Sequence, residues 1–195
     1  MDPTCENKIC DDMPSIYKNY DAIGEEYSVK RLIIHHWYRN GPRPDGKGNR
    51  IQWDFCLVQT KKSMILDEKT TKAISIAPKN FKINGRTCFV AGWGRTNKTV
   101  QGVSSVPSKF LQKTRLVNRM QTEERFNFHC RNARFQGAFC AKGFINETHG
   151  TCKGDSGGPY FCKENGKFYL VGMTSYGIAN KNSGCGNPGW VHPKK

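Results

Sequence analysis

The 195-residue chain is short of acid: 16 aspartates and glutamates stand against 31 lysines and arginines, a formal charge of +15. An excess of that size points to acidic partners such as glycosaminoglycans, nucleic acid or anionic membrane surfaces. No apolar run is long enough for a membrane-spanning helix, and no amino-terminal apolar run reads as a signal peptide. Close Cys or His pairs do not recur, which excludes structural zinc. Internal repeats and low-complexity segments are absent too. Cysteine, by contrast, is plentiful and odd in number, nine in all. That count fits a disulfide-containing protein of an oxidising compartment with at least one thiol left over. Export without an export signal is a conflict, and the expectation is that residues precede Met1.

The most specific signal is Thr151–Tyr160, Thr-Cys-Lys-Gly-Asp-Ser-Gly-Gly-Pro-Tyr. Gly154, Gly157 and Gly158 allow a tight loop that lifts the Ser156 hydroxyl out and aims backbone N–H groups beside it. Acyl transfer needs that pairing of a nucleophilic oxygen with donors that hold the oxyanion as it forms. On this motif the chain resembles the trypsin- and chymotrypsin-like serine peptidases, from about Tyr17 to Gly189. The resemblance implies an all-β, chymotrypsin-like double β-barrel. It covers a single peptidase-like domain over 1–195: a poorly ordered loop at 1–20, a partial first barrel and crossover at 21–80, and the second barrel at 81–195. The resemblance also leads to the expectation of a truncated first barrel and of no closing carboxy-terminal helix after His192-Pro193-Lys194-Lys195.

Along the chain, Glu25–Tyr38 reads as a strand from its β-branched and aromatic residues. Asn40–Asn49 is rich in Gly and Pro and reads as a surface loop. Ile51–Gln59 reads as a buried strand, with Cys56 a packed free thiol. Ile83–Arg95 and Phe110–Val117 read as strands of the second barrel; the Ala91-Gly92-Trp93-Gly94 run is a family marker expected to carry no chemistry. Thr122–Cys130 reads as a short helix capped by Thr122, with Glu123 and Glu124 in its first turn. Lys109–Arg134 is the basic segment expected to meet a polyanion. Asn165-Gly166 between two strand-like runs is a hairpin signal. Asn97 and Asn146 head glycosylation triplets in expected loops.

The resemblance implies that Ser156 and Asp54 are the catalytic serine and aspartate, with Trp53 where the family carries asparagine. The N–H groups of Gly154 and Ser156 would form the oxyanion hole. Gly150 stands where trypsin-like members carry the aspartate that binds Lys or Arg, while Ser175, Tyr176, Gly177 and Gly189 match the pocket wall. An apolar or aromatic substrate side chain is therefore expected. Lys153, near the pocket mouth, would favour acidic neighbours. Implied disulfides are Cys88–Cys162, Cys130–Cys140 and Cys152–Cys185. Cys5 and Cys10 either pair with each other, or Cys5 is the cysteine that follows the catalytic histidine; Asp2, Pro3 and Thr4 stand where the family has Ala-Ala-His.

A histidine base should precede the aspartate by about 45 residues, yet none lies before His35. The strand that ends in His35 and His36 is not the one that carries the base. His149 would have to fold back over a tight loop, and His129 and His192 match no motif. No Ile-Val-Gly-Gly-like start supplies the amino terminus that pairs with Asp155 on activation, so the resemblance leaves Asp155 unactivated and the oxyanion hole incomplete. Without an imidazole Ser156 is a weak nucleophile. Two functions follow as expectations. One is a secreted serine endopeptidase that hydrolyses peptide bonds by a Ser/His/Asp mechanism, with the histidine outside this chain and no cofactor. The other is an inactive homologue that binds proteins or polyanions.

Overall fold

The computed structural model describes residues 25–42, 49–69, 71–83, 86, 88–95, 107–118, 138–143, 150–177 and 189–193. Every regular element among them is a strand. In chain order these are β1 (Val29–Ile34), β2 (Arg39–Pro42), β3 (Asn49–Gln52), β4 (Cys56–Thr60), β5 (Ser75–Ile76), β6 (Cys88–Gly92), β7 (Gln112–Asn118), β8 (Phe139–Gly143), β9 (Pro159–Glu164), β10 (Lys167–Gly177) and β11 (Gly189–Pro193). The fold is all-β, as the resemblance implied.

The last six strands, with β5 at the edge, make one sheet in the order β11-β8-β7-β6-β9-β10-β5. A second pairing of β11 with β10 brings the sheet round on itself. Alternation drives the closure. Cys88 and Val90 on β6, Leu116 on β7, Tyr160 and Cys162 on β9 and Val171 on β10 turn inward and form one buried cluster with Phe139 and Ala141. Cys88 lies opposite Cys162 in the β6–β9 ladder, and the two are bonded as a disulfide. The β9–β10 hairpin turns on Asn165 and Gly166, both at positive φ (48° and 79°), the left-handed pair that matches the twist of the flanking strands.

The strands ahead of β5 behave differently. β1 pairs only with β4, and β2 only with β3, each as a two-stranded antiparallel ribbon. All six residues of β1 are exposed, and so are Leu57 and Val58 of β4. Three expectations are corrected here. Ile51–Gln59 is not one buried strand, because Trp53 takes a left-handed φ of 53° and breaks it into β3 and β4. Cys56 is free but exposed rather than packed, since nothing among the described residues covers β4. The Gly- and Pro-rich stretch contributes strand at both ends, where Arg39–Pro42 pairs with Asn49–Gln52. The expected loop at 1–20, the Thr122–Cys130 helix and the triplets at Asn97 and Asn146 lie outside the described residues.

Candidate functional site

The Ser156 loop is held by its own backbone and by β10. Asp155 N–H donates to the Cys152 carbonyl (3.0 Å), Gly158 N–H to the Asp155 carbonyl (2.9 Å) and Gly157 N–H to the Thr174 carbonyl (2.8 Å). Thr174 N–H returns a bond to the Gly158 carbonyl at 2.9 Å. Gly154 and Gly157 take φ of 97° and 79°, conformations that cost a side-chain-bearing residue, and both turns are needed to present Ser156 outward. Ser156 is exposed, and its Oγ donates a long bond of 3.4 Å to the Ser175 carbonyl. The N–H groups of Gly154 and Ser156 donate to no other group among the described residues.

Asp155 turns the other way. Its carboxylate accepts N–H bonds from Gly94 and from Cys152, each 2.9 Å, and so ties the loop to the end of β6. A Cβ on Gly94 would lie 2.5 Å from that carboxyl group, and one on Gly92 2.2 Å from Oδ1. The Ala91–Gly94 run therefore has a task that sequence reading did not assign: its glycines leave room for Asp155 and one of them supplies a donor.

Asp54 reaches the same place from the far end of the chain. Trp53 O accepts from Phe55 N–H at 2.8 Å, a tight bend centred on Asp54, and Phe55 O accepts from His35 N–H at 3.3 Å. The Trp53 ring stacks on His35 (centroids 5.1 Å, 15° between planes) and meets Trp37 edge-on at 5.2 Å. From this bend the Asp54 Oδ2 accepts the Ser175 Oγ hydrogen at 2.5 Å. Ser175, expected as pocket wall, is thus also the bridge between Ser156 and Asp54: its carbonyl takes one and its hydroxyl holds the other. Polar side chains of that kind are invisible in a motif search, because only the fold brings positions 121 residues apart together.

The remaining expected positions fall around this line. Ser175 and Tyr176 occupy an irregularity in the β10–β11 ladder, and Gly177 and Gly189 face one another across it. Gly150 is half-buried just ahead of the loop. Cys140 and Cys152 each belong to a disulfide; Cys130 and Cys185, their expected partners, lie outside the described residues. Of the histidines, His35 packs among Trp53, Trp37, Phe55 and His36, and its Nδ1 accepts from Trp37 N–H at 3.3 Å. His129 and His149 lie outside the described residues. No cluster of three metal-ligating side chains occurs among the described residues, and no helix there is long and apolar enough to cross a membrane.

Comparison with known proteins agrees with this fold. The Trypsin family model matches residues 15–193. Spermosin of Halocynthia roretzi is 33% identical over 134 residues, covering 69% of this chain and 32% of that protein. Transmembrane protease serine 7 of Mus musculus is 31% identical over 163 residues, covering 82% and 17%. Chymotrypsin-like elastase family member 1 of Macaca fascicularis is 24% identical over 162 residues, covering 80% and 54%. The chain spans between 17% and 54% of the length of these relatives. A family match over nearly the whole chain, on a closed β sheet with Gly-Asp-Ser-Gly-Gly-Pro at its edge, places this protein in the trypsin family of serine proteases.

Proposed function

We propose that this chain is a peptidase-like domain of the serine endopeptidase type, with Ser156 as nucleophile, Asp54 as the orienting carboxylate and protein substrates. The supporting observation is the hydrogen-bonded line from Ser156 through Ser175 to Asp54. In such a reaction the Ser156 oxygen attacks a peptide carbonyl, its proton passes to a base, and the oxyanion is received by N–H donors. Gly154 and Ser156 supply those donors in this reading. Gly150, Tyr176, Gly177 and Gly189 border a pocket without counter-charge that takes an apolar or aromatic side chain. Cys130–Cys140 and Cys152–Cys185 join Cys88–Cys162 as disulfides, consistent with secretion.

The imidazole base is outside this chain in this reading, so the chain alone hydrolyses peptides slowly. Incubation with a peptide anilide bearing an aromatic residue at the cleaved bond tests it. The expected result is a low rate at neutral pH that rises with added imidazole and vanishes in Ser156→Ala. A rate untouched by Ser156→Ala would remove the nucleophile assignment.

A second reading is supported by the partner of Ser156, a backbone carbonyl rather than a ring nitrogen, together with the net charge of +15. In it the chain is a non-catalytic homologue that binds proteins or polyanions. The two readings separate in the same assay, since only the first responds to imidazole.

A further inference from the structure

The outward face of the β7-β6-β9-β10 sheet carries a row of aromatic rings. Phe89 on β6 meets Phe161 on β9 with centroids 5.7 Å apart, and Phe161 meets Phe168 on β10 at 5.6 Å. These are the residues that alternate with the buried Cys88, Val90, Tyr160 and Cys162, so the row lies on the solvent side of the barrel wall. Both ends of the row are cationic. The Lys113 ammonium sits 5.1 Å over the Phe89 ring, and the Lys163 ammonium 5.6 Å over Phe168. Arg115 stands directly opposite Phe89 in the β6–β7 register. No carboxylate alternates onto this face from the described parts of β6, β7 or β9.

An exposed lysine is usually a mobile, hydrated charge. Placing the ammonium on an aromatic face fixes it, and such contacts contribute about 0.5–1 kcal/mol at exposed sites. Pre-fixed cations lose less freedom when an anion arrives. From Phe89 on β6 to Phe168 on β10 the row crosses two interstrand spacings of about 4.8 Å, or about 10 Å. A linear chain carrying repeated anionic groups can therefore meet both lysines at once while its apolar edges lie along the rings.

We propose that this aromatic–lysine row is a binding surface for a sulfated polysaccharide. The inference rests on the polyanion-binding part of the second reading above and gives it a location that shares Lys113 and Arg115 with the Lys109–Arg134 segment and extends from it across the sheet to Lys163. Charge complementarity selects an anion. The two end rings, Phe89 and Phe168, already carry ammonium groups, and Phe161 and Phe168 stand 70° apart, which suits sugar rings with sulfates at their rims better than the stacking of successive bases. The disulfide adds that the barrel belongs in an oxidising compartment, where sulfated polysaccharides are available.

The test is binding of the full chain to a size-defined heparin oligosaccharide, followed by calorimetry across a salt series, beside an oligonucleotide of equal charge. Lys113→Gln/Lys163→Gln is expected to weaken heparin binding at least tenfold, against about twofold to threefold for Lys79→Gln/Lys82→Gln, which removes the same charge after β5. Phe168→Leu, which removes no charge, is expected to weaken it severalfold by releasing Lys163, and Lys113→Arg/Lys163→Arg to retain it. Equal losses in the two glutamine variants overturn the location while leaving polyanion binding intact. No heparin binding by the unaltered chain overturns both, and tighter binding to the oligonucleotide overturns the polysaccharide in favour of single-stranded nucleic acid.

Discussion

Single residues set the strain and the reserve at this site. Trp53 holds a left-handed φ of 53°; such a residue costs about 1–3 kcal/mol and persists only when its surroundings fix it. The stack on His35 and the edge contact with Trp37 are what fix it. Asparagine tolerates this conformation, so Trp53→Asn trades lost ring contacts against relieved strain and is expected to leave stability within about 1 kcal/mol. Trp53→Val loses the rings and keeps the strain, and is expected to cost more than about 2 kcal/mol in denaturant unfolding. Equal losses would remove the strain argument. Tyr160 shows the opposite case. It is fully buried, and its hydroxyl has no hydrogen-bond partner among the described residues. Tyr160→Phe is expected to raise stability by about 1 kcal/mol. Burial pushes the phenol well above its ordinary value of 10.0, so the folded state keeps a proton that the unfolded chain gives up. Stability from this residue is whole below pH 10 and falls as pH rises beyond it. Alkaline melting curves should show that fall in the parent protein and a smaller one in Tyr160→Phe.

At the scale of elements, two links join the barrel to the Ser156 loop. The Cys88–Cys162 bond closes a separation of 74 residues between β6 and β9, the strand that leaves the loop. Cys88→Ala/Cys162→Ala is expected to lose about 2–4 kcal/mol in denaturant unfolding under oxidising conditions. The second link is the pair of N–H bonds to Asp155. Gly94→Ala, whose new methyl would sit 2.5 Å from that carboxyl group, is expected to lower stability by about 1–3 kcal/mol and to slow modification of Ser156. An unchanged labelling rate would show that Asp155 does not set the loop. The barrel elements were legible because alternation is strong there: Cys88-Phe89-Val90 and Tyr160-Phe161-Cys162 put every second residue inside. The bend at Asp54 was not legible. Ile51–Gln59 has the composition of one continuous strand, and only a backbone angle at Trp53 divides it. Ser156 could be read from its own neighbours, whereas the Ser175 hydroxyl on Asp54 is a long-range contact that no local pattern encodes.

The whole molecule is uneven. The buried cluster lies entirely on strands from β6 onward. The β1–β4 ribbon leaves Leu57 62% exposed and Val58 56% exposed, so little apolar burial opposes its opening. Amides of Cys88–Gly92 and Pro159–Gly177 are expected to resist hydrogen exchange long after those of Val29–Thr60 have exchanged. The same ribbon, with unpaired edges and exposed apolar faces among the described residues, is expected to make the isolated chain poorly soluble. Equal protection in both regions would contradict this division.

In the proposed reading Ser156 is a nucleophile with no base against it among the described residues. Intact mass after treatment with a fluorophosphonate, with and without imidazole, tests that directly. The expected result is slow, single-site modification of Ser156 that imidazole accelerates and Ser156→Ala abolishes. Rapid labelling without imidazole would mean that a base in the chain already reaches Ser156, and no labelling under any condition would mean that the loop presents no nucleophile.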